Sequence, residues 1–149
     1  MAIYFDASVI VAMLLHEPTS DRVTALFQRR GETFLISDFA AAEVSSAISR
    51  RVRMGLDTTA DAKKRLDTLD RLKLRLPPIL KLEPDDIRVA DELVRTFELK
   101  LRAPDAIHAA VCLRHNYQLA TLDSGLADAA RALGVACINP AEQIGEAKD

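Results

Sequence analysis

Apolar and polar positions along the chain follow two rhythms. Short runs of apolar or β-branched residues, at 2–5, 33–36, 79–82, 118–121 and 135–138, read as five strands. Between them lie segments with helical spacing. One runs from Ser8, as its cap, to about Leu15, and another from Pro18 to about Arg29. A long one opens at Ser37 or Asp38 and is stopped by Gly55. The next begins near Thr58 or Thr59, carries Leu66, Leu69 and Leu72 on its inner side, and ends before Pro77 and Pro78. Pro84 opens a helix whose apolar positions are Ile87, Ala90, Val94 and Phe97; Pro104 opens another, to about His115; Asp123 begins a short one that Gly134 ends. Strands separated by helices predict an α/β fold, a parallel sheet covered on both faces. No repeat, linker or low-complexity tract divides the chain, so residues 1–149 read as one domain, with 140–149 a short or frayed tail.

The acids break this pattern in four places. Most carboxylates, Asp57 among them, fall where solvated acids fall. Asp6 instead sits between two apolar runs, in Y-F-D-A-S-V-I-V. Glu43 lies in A-A-A-E-V-S-S-A, Asp105 in A-P-D-A-I-H-A-A-V, and Asp123 in L-A-T-L-D-S-G. Ligands of parallel sheets bind in the crevice beyond the carboxyl ends of the strands. Asp6 and Asp123 stand at such ends. Glu43 is on the helix leaving the second strand there. Asp105 opens a helix that runs antiparallel to the strand it feeds, which brings its first turn to the same edge.

Four carboxylates in one crevice raise one another's pKa. A divalent cation relieves this, and oxygen donors without a His/Cys cluster suit Mg²⁺ or Mn²⁺ rather than Zn²⁺. Such an ion polarises a phosphate oxygen and makes bound water acidic, with Asp105 or Asp123 placed to hold the attacking water. Ser8 and Thr121 are candidates for hydroxyls that hold Asp6 or a metal-bound water, with an ordinary strand threonine the alternative for Thr121. For each acid there is a plain alternative: Asp6 and Asp123 as helix caps, Asp105 as a first-turn acid on a helix dipole. His108, one turn after Asp105, reads as a structural hydrogen-bonding residue, with substrate or catalytic contact as the alternative.

Composition narrows the classes little. The apolar share is 49% and the charged share 28%, with a net charge of −2, ordinary values for a soluble globular chain. Cys112 and Cys137 show no metal or redox spacing and read as small apolar residues of a reducing compartment. The start shows no secretory pattern and no apolar stretch is long enough to cross a bilayer, so the expectation is cytoplasmic, without membrane contact. Between Arg50 and Arg75 nine Lys/Arg stand against four Asp, a solvated face or a phosphate-binding one. Lys100 and Arg102 flank the Asp105 turn and, with Arg50, are the candidate contacts to a nucleic-acid phosphate backbone. No aromatic platform for base stacking is legible.

The four motifs, in this order and spacing, resemble the PIN domain, and in particular a VapC-type ribonuclease toxin of a toxin–antitoxin pair. The resemblance spans nearly the whole chain. It implies a three-layer α/β/α fold with a five-stranded sheet of order 3-2-1-4-5. Asp6, Glu43, Asp105 and Asp123 would form the catalytic and metal-holding quartet, and the activity would be Mg²⁺- or Mn²⁺-dependent cleavage of RNA. It also implies a cognate antitoxin inserted near the crevice and a homodimer or larger toxin–antitoxin assembly. The runner-up is a PIN-like module that binds RNA or protein without cleaving. An aspartyl phosphatase would want D-x-D where the chain has D-A-S, and a receiver module lacks its acceptor Asp after the third strand and its Lys after the fifth.

Overall fold

The computed structural model describes residues 2–142. At its centre is β1, Ala2–Phe5, flanked by parallel partners β2, Thr33–Leu35, and β3, Gln118–Ala120; β4, Cys137–Ile138, pairs with β3. The order is β2-β1-β3-β4. Register is fixed by Ile3 opposite Phe34 and Tyr4 opposite Leu119. Alternate residues of a strand face opposite sides, and β1 shows the consequence. Ile3 and Phe5 join one core with Val9, Phe34, Val44, Ile48 and Leu69. Tyr4 joins the other with Ala109, Val111, Leu119 and Leu126. Both faces are therefore covered, and the three-layer α/β/α expectation holds.

The first core is closed by α1, Ala7–Leu15, α2, Ser20–Phe27, α3, Asp38–Arg53, and α4, Thr59–Arg75. Leu69 and Leu72 of α4 are buried and Leu66 packs against them, as the periodicity predicts. The second core is closed by α5, Pro84–Val94, α6, Ala103–His115, and α7, Ser124–Ala132. Among the described residues no helix is long and apolar enough to cross a membrane. The expected tail falls mostly at 143–149, outside the described residues.

Four expectations need correction. The expected third strand contributes one rung rather than a strand: Leu80 bridges Ser37, donating to the Ile36 carbonyl at 3.0 Å and accepting from Asp38 N at 2.8 Å. The rung before it would need an N–H from Pro78, which has none. The rung after it is lost because the partner chain has entered α3, so Leu82 N–H donates to the Asp38 side chain instead, at 3.0 Å. The sheet thus has four strands plus this bridge, in the expected spatial order. The second helix begins at Ser20, two residues after Pro18, with its serine hydroxyl donating back to the Ala12 carbonyl at 2.5 Å.

The apolar face of α5 is turned by one residue from the predicted one. Asp86, Ala90 and Leu93 are buried, whereas Ile87 is 48% exposed. Phe97 lies past the helix in a 3₁₀ turn, Phe97–Leu99, and is 81% exposed. The cause is Asp86, which meets Arg114 of α6 through two parallel bonds of 2.7 and 2.8 Å. Burial alone would lift the Asp86 carboxyl. The Arg114 fork and the Glu83 N–H bring it below its ordinary value instead. Asp57, finally, is not solvated: it is buried between the guanidinium groups of Arg51 and Arg65, where it clasps the α3–α4 turn.

Arg114→Met leaves the buried Asp86 carboxylate without its cationic partner, held only by the Glu83 N–H. Urea unfolding at pH 7 is expected to show a loss of about 3 kcal/mol. Since pairing depresses the Asp86 pKa, its stabilisation is complete above the ordinary value of 3.8 and disappears as pH falls through the folded value. The gap between wild type and variant therefore closes in acid. A loss under about 1 kcal/mol would contradict the role given to this pair.

Candidate active site

The site is assembled where β1 and β3 end. Asp6 N–H donates to the Ala120 carbonyl at 3.2 Å, extending the ladder by one bond before the chain turns into α1. Its side chain, in a residue only 4% exposed, caps that helix through Val9 N–H at 3.2 Å. Asp6, not Ser8, is thus the cap. The Ser8 hydroxyl instead donates to Asp6 Oδ1 at 2.6 Å and accepts Leu122 N–H at 2.9 Å. Thr121 does the same from the other strand, donating to Asp6 Oδ2 at 2.5 Å and accepting Asp123 N–H at 3.0 Å. Two hydroxyls therefore stitch the ends of β1 and β3 together and fix the Asp6 carboxylate on both oxygens.

Asp123 caps α7, taking Leu126 N–H on Oδ1 at 3.0 Å. Gly125 keeps that oxygen clear, because a Cβ there would approach it to 3.2 Å. Asp105 lies in the first turn of α6, behind Pro104 at the helix start. Glu43 is on the second turn of α3, its side chain 30% exposed, with Oε1 at 2.5 Å from His108 Nε2.

Electrostatics show which of these groups share space. Burial, then the charges of Asp123 and Asp6, push the Asp105 carboxyl above its ordinary value, against Arg102 and His108. Burial pushes Asp6 up as well, against the hydroxyls of Ser8 and Thr121 and the nearby His108 ring. Asp105 therefore lies within reach of the charges of Asp123 and Asp6, and His108, whose ring acts on both Asp105 and Asp6, also contacts Glu43. The plain reading holds for Asp6 and Asp123: each caps a helix.

Among the described residues no three His, Cys, Asp or Glu side chains stand close enough to ligate one ion directly. Carboxylates crowded enough to raise the Asp105 pKa still suit a hard cation, one that keeps most of its waters and touches one or two carboxylates. Asp6, Asp105 and Asp123 are the residues that would hold it or its waters.

Of the candidate RNA contacts, Arg102 is the residue before α6, beside Asp105, and Lys100 closes the 3₁₀ turn in left-handed conformation, φ 54°. Arg50 lies two turns along α3 from Glu43. The two line one open groove of about 430 Å³ with Leu15, Ala47 and Met54. Arg51, which also borders it, is occupied by Asp57. Sequence reasoning missed two features. One is exposed Phe97 beside Lys100, whose helical spacing pointed to the core. The other is the partner set of His108: Tyr4 and Glu43, with the signals being a phenol inside an apolar strand and a histidine in an alanine-rich helix.

The PIN domain family matches residues 3–132. Ribonuclease VapC46 of Mycobacterium tuberculosis (strain ATCC 25618 / H37Rv) is 32% identical over 142 residues, covering 93% of this chain and 98% of that one. The chain belongs to the PIN-domain family, in its VapC branch. Solved structures agree on the fold. FitAcB from Neisseria gonorrhoeae superposes with a TM-score of 0.71 at 24% identity, covering 93% of this chain and 97% of that one. VapC20 of M. tuberculosis, a sarcin–ricin loop cleaving toxin, gives 0.70 at 18%, covering 93% and 99%. In this PIN domain the four acids and their hydroxyl supports all lie within the matched span.

Without metal, Asp105→Asn should raise the melting temperature in EDTA at pH 7, by about 2 °C. Because the folded-state pKa of Asp105 is raised, the wild type loses stability relative to the variant as pH climbs from 3.8 through that raised value. A lower melting temperature for the variant across this range would show that Asp105 is not crowded by like charge.

Proposed function

We propose that this protein is a metal-dependent endoribonuclease, the toxin of a VapBC-type toxin–antitoxin module, hydrolysing RNA phosphodiester bonds with water. The observation that carries the reading is the crowding of Asp105 by Asp123 and Asp6 at the carboxyl edge of the sheet. A bound Mg²⁺ or Mn²⁺ would supply an acidified water and a polarised phosphate oxygen. The chain's own groups do the rest. Asp6, locked by Ser8 and Thr121, is a rigid anionic anchor. Asp105, with its raised pKa, is suited to accept a proton from the attacking water by hydrogen bond. Asp123 and Glu43 complete the negative wall.

The substrate is drawn in by cations at the rim. Lys100 and Arg102 flank Asp105 and take backbone phosphates, and Arg50 extends the track along α3. Phe97, open to solvent three residues before Lys100, offers a face for one unpaired base. The VapC branch, together with fold neighbours that include VapBC and FitAB complexes, supports a cognate antitoxin as partner. The groove beside Glu43 is the place for its inserted segment, and a homodimer is the assembly this reading carries.

Incubation with structured RNA tests the assignment. Cleavage is expected in Mn²⁺, none in EDTA, and Asp6→Asn should lower turnover at least about 100-fold. RNA retained without cleavage would leave the non-catalytic binding module in its place, and cleavage indifferent to EDTA or to Asp6→Asn would remove the metal mechanism.

A phosphate role for the rim cations has its own signature. Lys100→Ala and Arg102→Ala should each raise KM and make the dependence of log affinity on log salt shallower by about one. Unchanged salt slopes in both variants would move the RNA path elsewhere.

A further inference from the structure

The imidazole of His108 takes no part in the reading above, yet it is 2% exposed and hydrogen-bonded at both nitrogens. Its bonds have only one consistent direction. Glu43 as a carboxylate only accepts, so the hydrogen of that bond belongs to His108 Nε2. Nδ1 of the neutral ring then offers a lone pair, and the Tyr4 hydroxyl at 2.7 Å donates to it. Tyr4 Oη in turn accepts from the Ser37 hydroxyl at 2.7 Å, and Ser37 Oγ accepts Ala40 N–H at 2.9 Å. Reversing the two hydroxyls would leave the Ser37 proton with no acceptor in a residue 1% exposed, a costly arrangement.

The chain of bonds closes on itself in space. It begins at the backbone of α3, passes through β1 and α6, and returns to Glu43 on α3. These are the elements that carry Asp6, Glu43 and Asp105. Phe39 covers the ring from the side, its centroid 5.3 Å from that of His108. Among the described residues, Glu43 Oε2 accepts no hydrogen bond, so one oxygen is anchored and the other is free to take a partner.

We propose that His108, held as its Nε2–H tautomer by Tyr4 and Ser37, is the positioning residue for Glu43, anchoring Oε1 so that Oε2 faces the substrate crevice. The bond chain stands apart from the nuclease reading; what Glu43 does once positioned rests on it. Residues around metal ligands that fix their orientation are worth about 10- to 100-fold in activity, and that is the size of effect assigned here.

Long-range ¹H–¹⁵N correlation spectra of the wild type are expected to show His108 protonated at Nε2 and bare at Nδ1. Tyr4→Phe keeps the ring in the core and removes only the donor to Nδ1. It should make the His108 tautomers mix and lower kcat for RNA about tenfold, with KM unchanged. His108→Gln, whose amide also donates, should recover part of the kcat that His108→Leu loses, at similar melting temperatures for the two. A hydrogen on Nδ1 in the wild type would overturn the proposal. So would folded Tyr4→Phe and His108→Leu proteins with wild-type kcat, or a Gln variant no better than Leu. If the wild type cleaves no RNA, the nuclease reading fails, and the tautomer spectrum still decides the bond chain.

Discussion

Like charge gathered at one edge of a parallel sheet is the constraint around which this molecule is arranged. The sheet consists of strands only two to four residues long. Such strands end almost as soon as they begin, so the helices that follow start close together at one edge of the sheet. Asp6 and Asp123 arrive on the turns after β1 and β3, Asp105 on the helix that feeds β3, and Glu43 on the helix that leaves β2. Burial and mutual repulsion make this arrangement unfavourable in isolation. A bound cation, as proposed above, would turn the same arrangement into binding energy.

Rigidity at the site comes from neutral groups. Ser8 and Thr121 each accept a backbone N–H from the loop after β3 and donate to Asp6. Their protons are thereby committed to the carboxylate. Tyr4, Ser37 and His108 form the matching support on the other face of β1. Tyr4 points away from Phe5 because the strand alternates, and this places a phenol beneath the crevice while its neighbours fill the opposite core. One four-residue strand thus supplies the anchor acid at its end, the aromatic floor of one core and the hydroxyl of a hydrogen-bond chain.

The sequence was most legible where an isolated charge interrupts an apolar run. That signal needs no knowledge of packing, and all four acids came from it. It was least legible where two residues competed for one role. Asp6 and Ser8 are both good helix caps, and only the extra backbone bond from Asp6 to Ala120 decides between them. Helix phase failed at α5 because a charged residue, Asp86, took a core position by pairing with Arg114, which apolar periodicity does not register. Asp57 failed for the same reason, its two arginines lying six and eight residues away on the helices either side of its turn. The five-strand count erred by one because Pro78 removes a donor and Ser37 ends the neighbouring strand. The partners of His108 lie 65 and 104 residues distant and leave no local trace.

Paramagnetic broadening of the ¹⁵N-labelled protein by substoichiometric Mn²⁺ is the most direct test of a crevice shared by all four acids. The account predicts that amides around residues 6, 43, 105 and 123 lose intensity together, at the same metal concentration, while those of α4 do not. Broadening confined to one of these segments, or centred on the charged surface of α4, would show that the four carboxylates do not serve one ion.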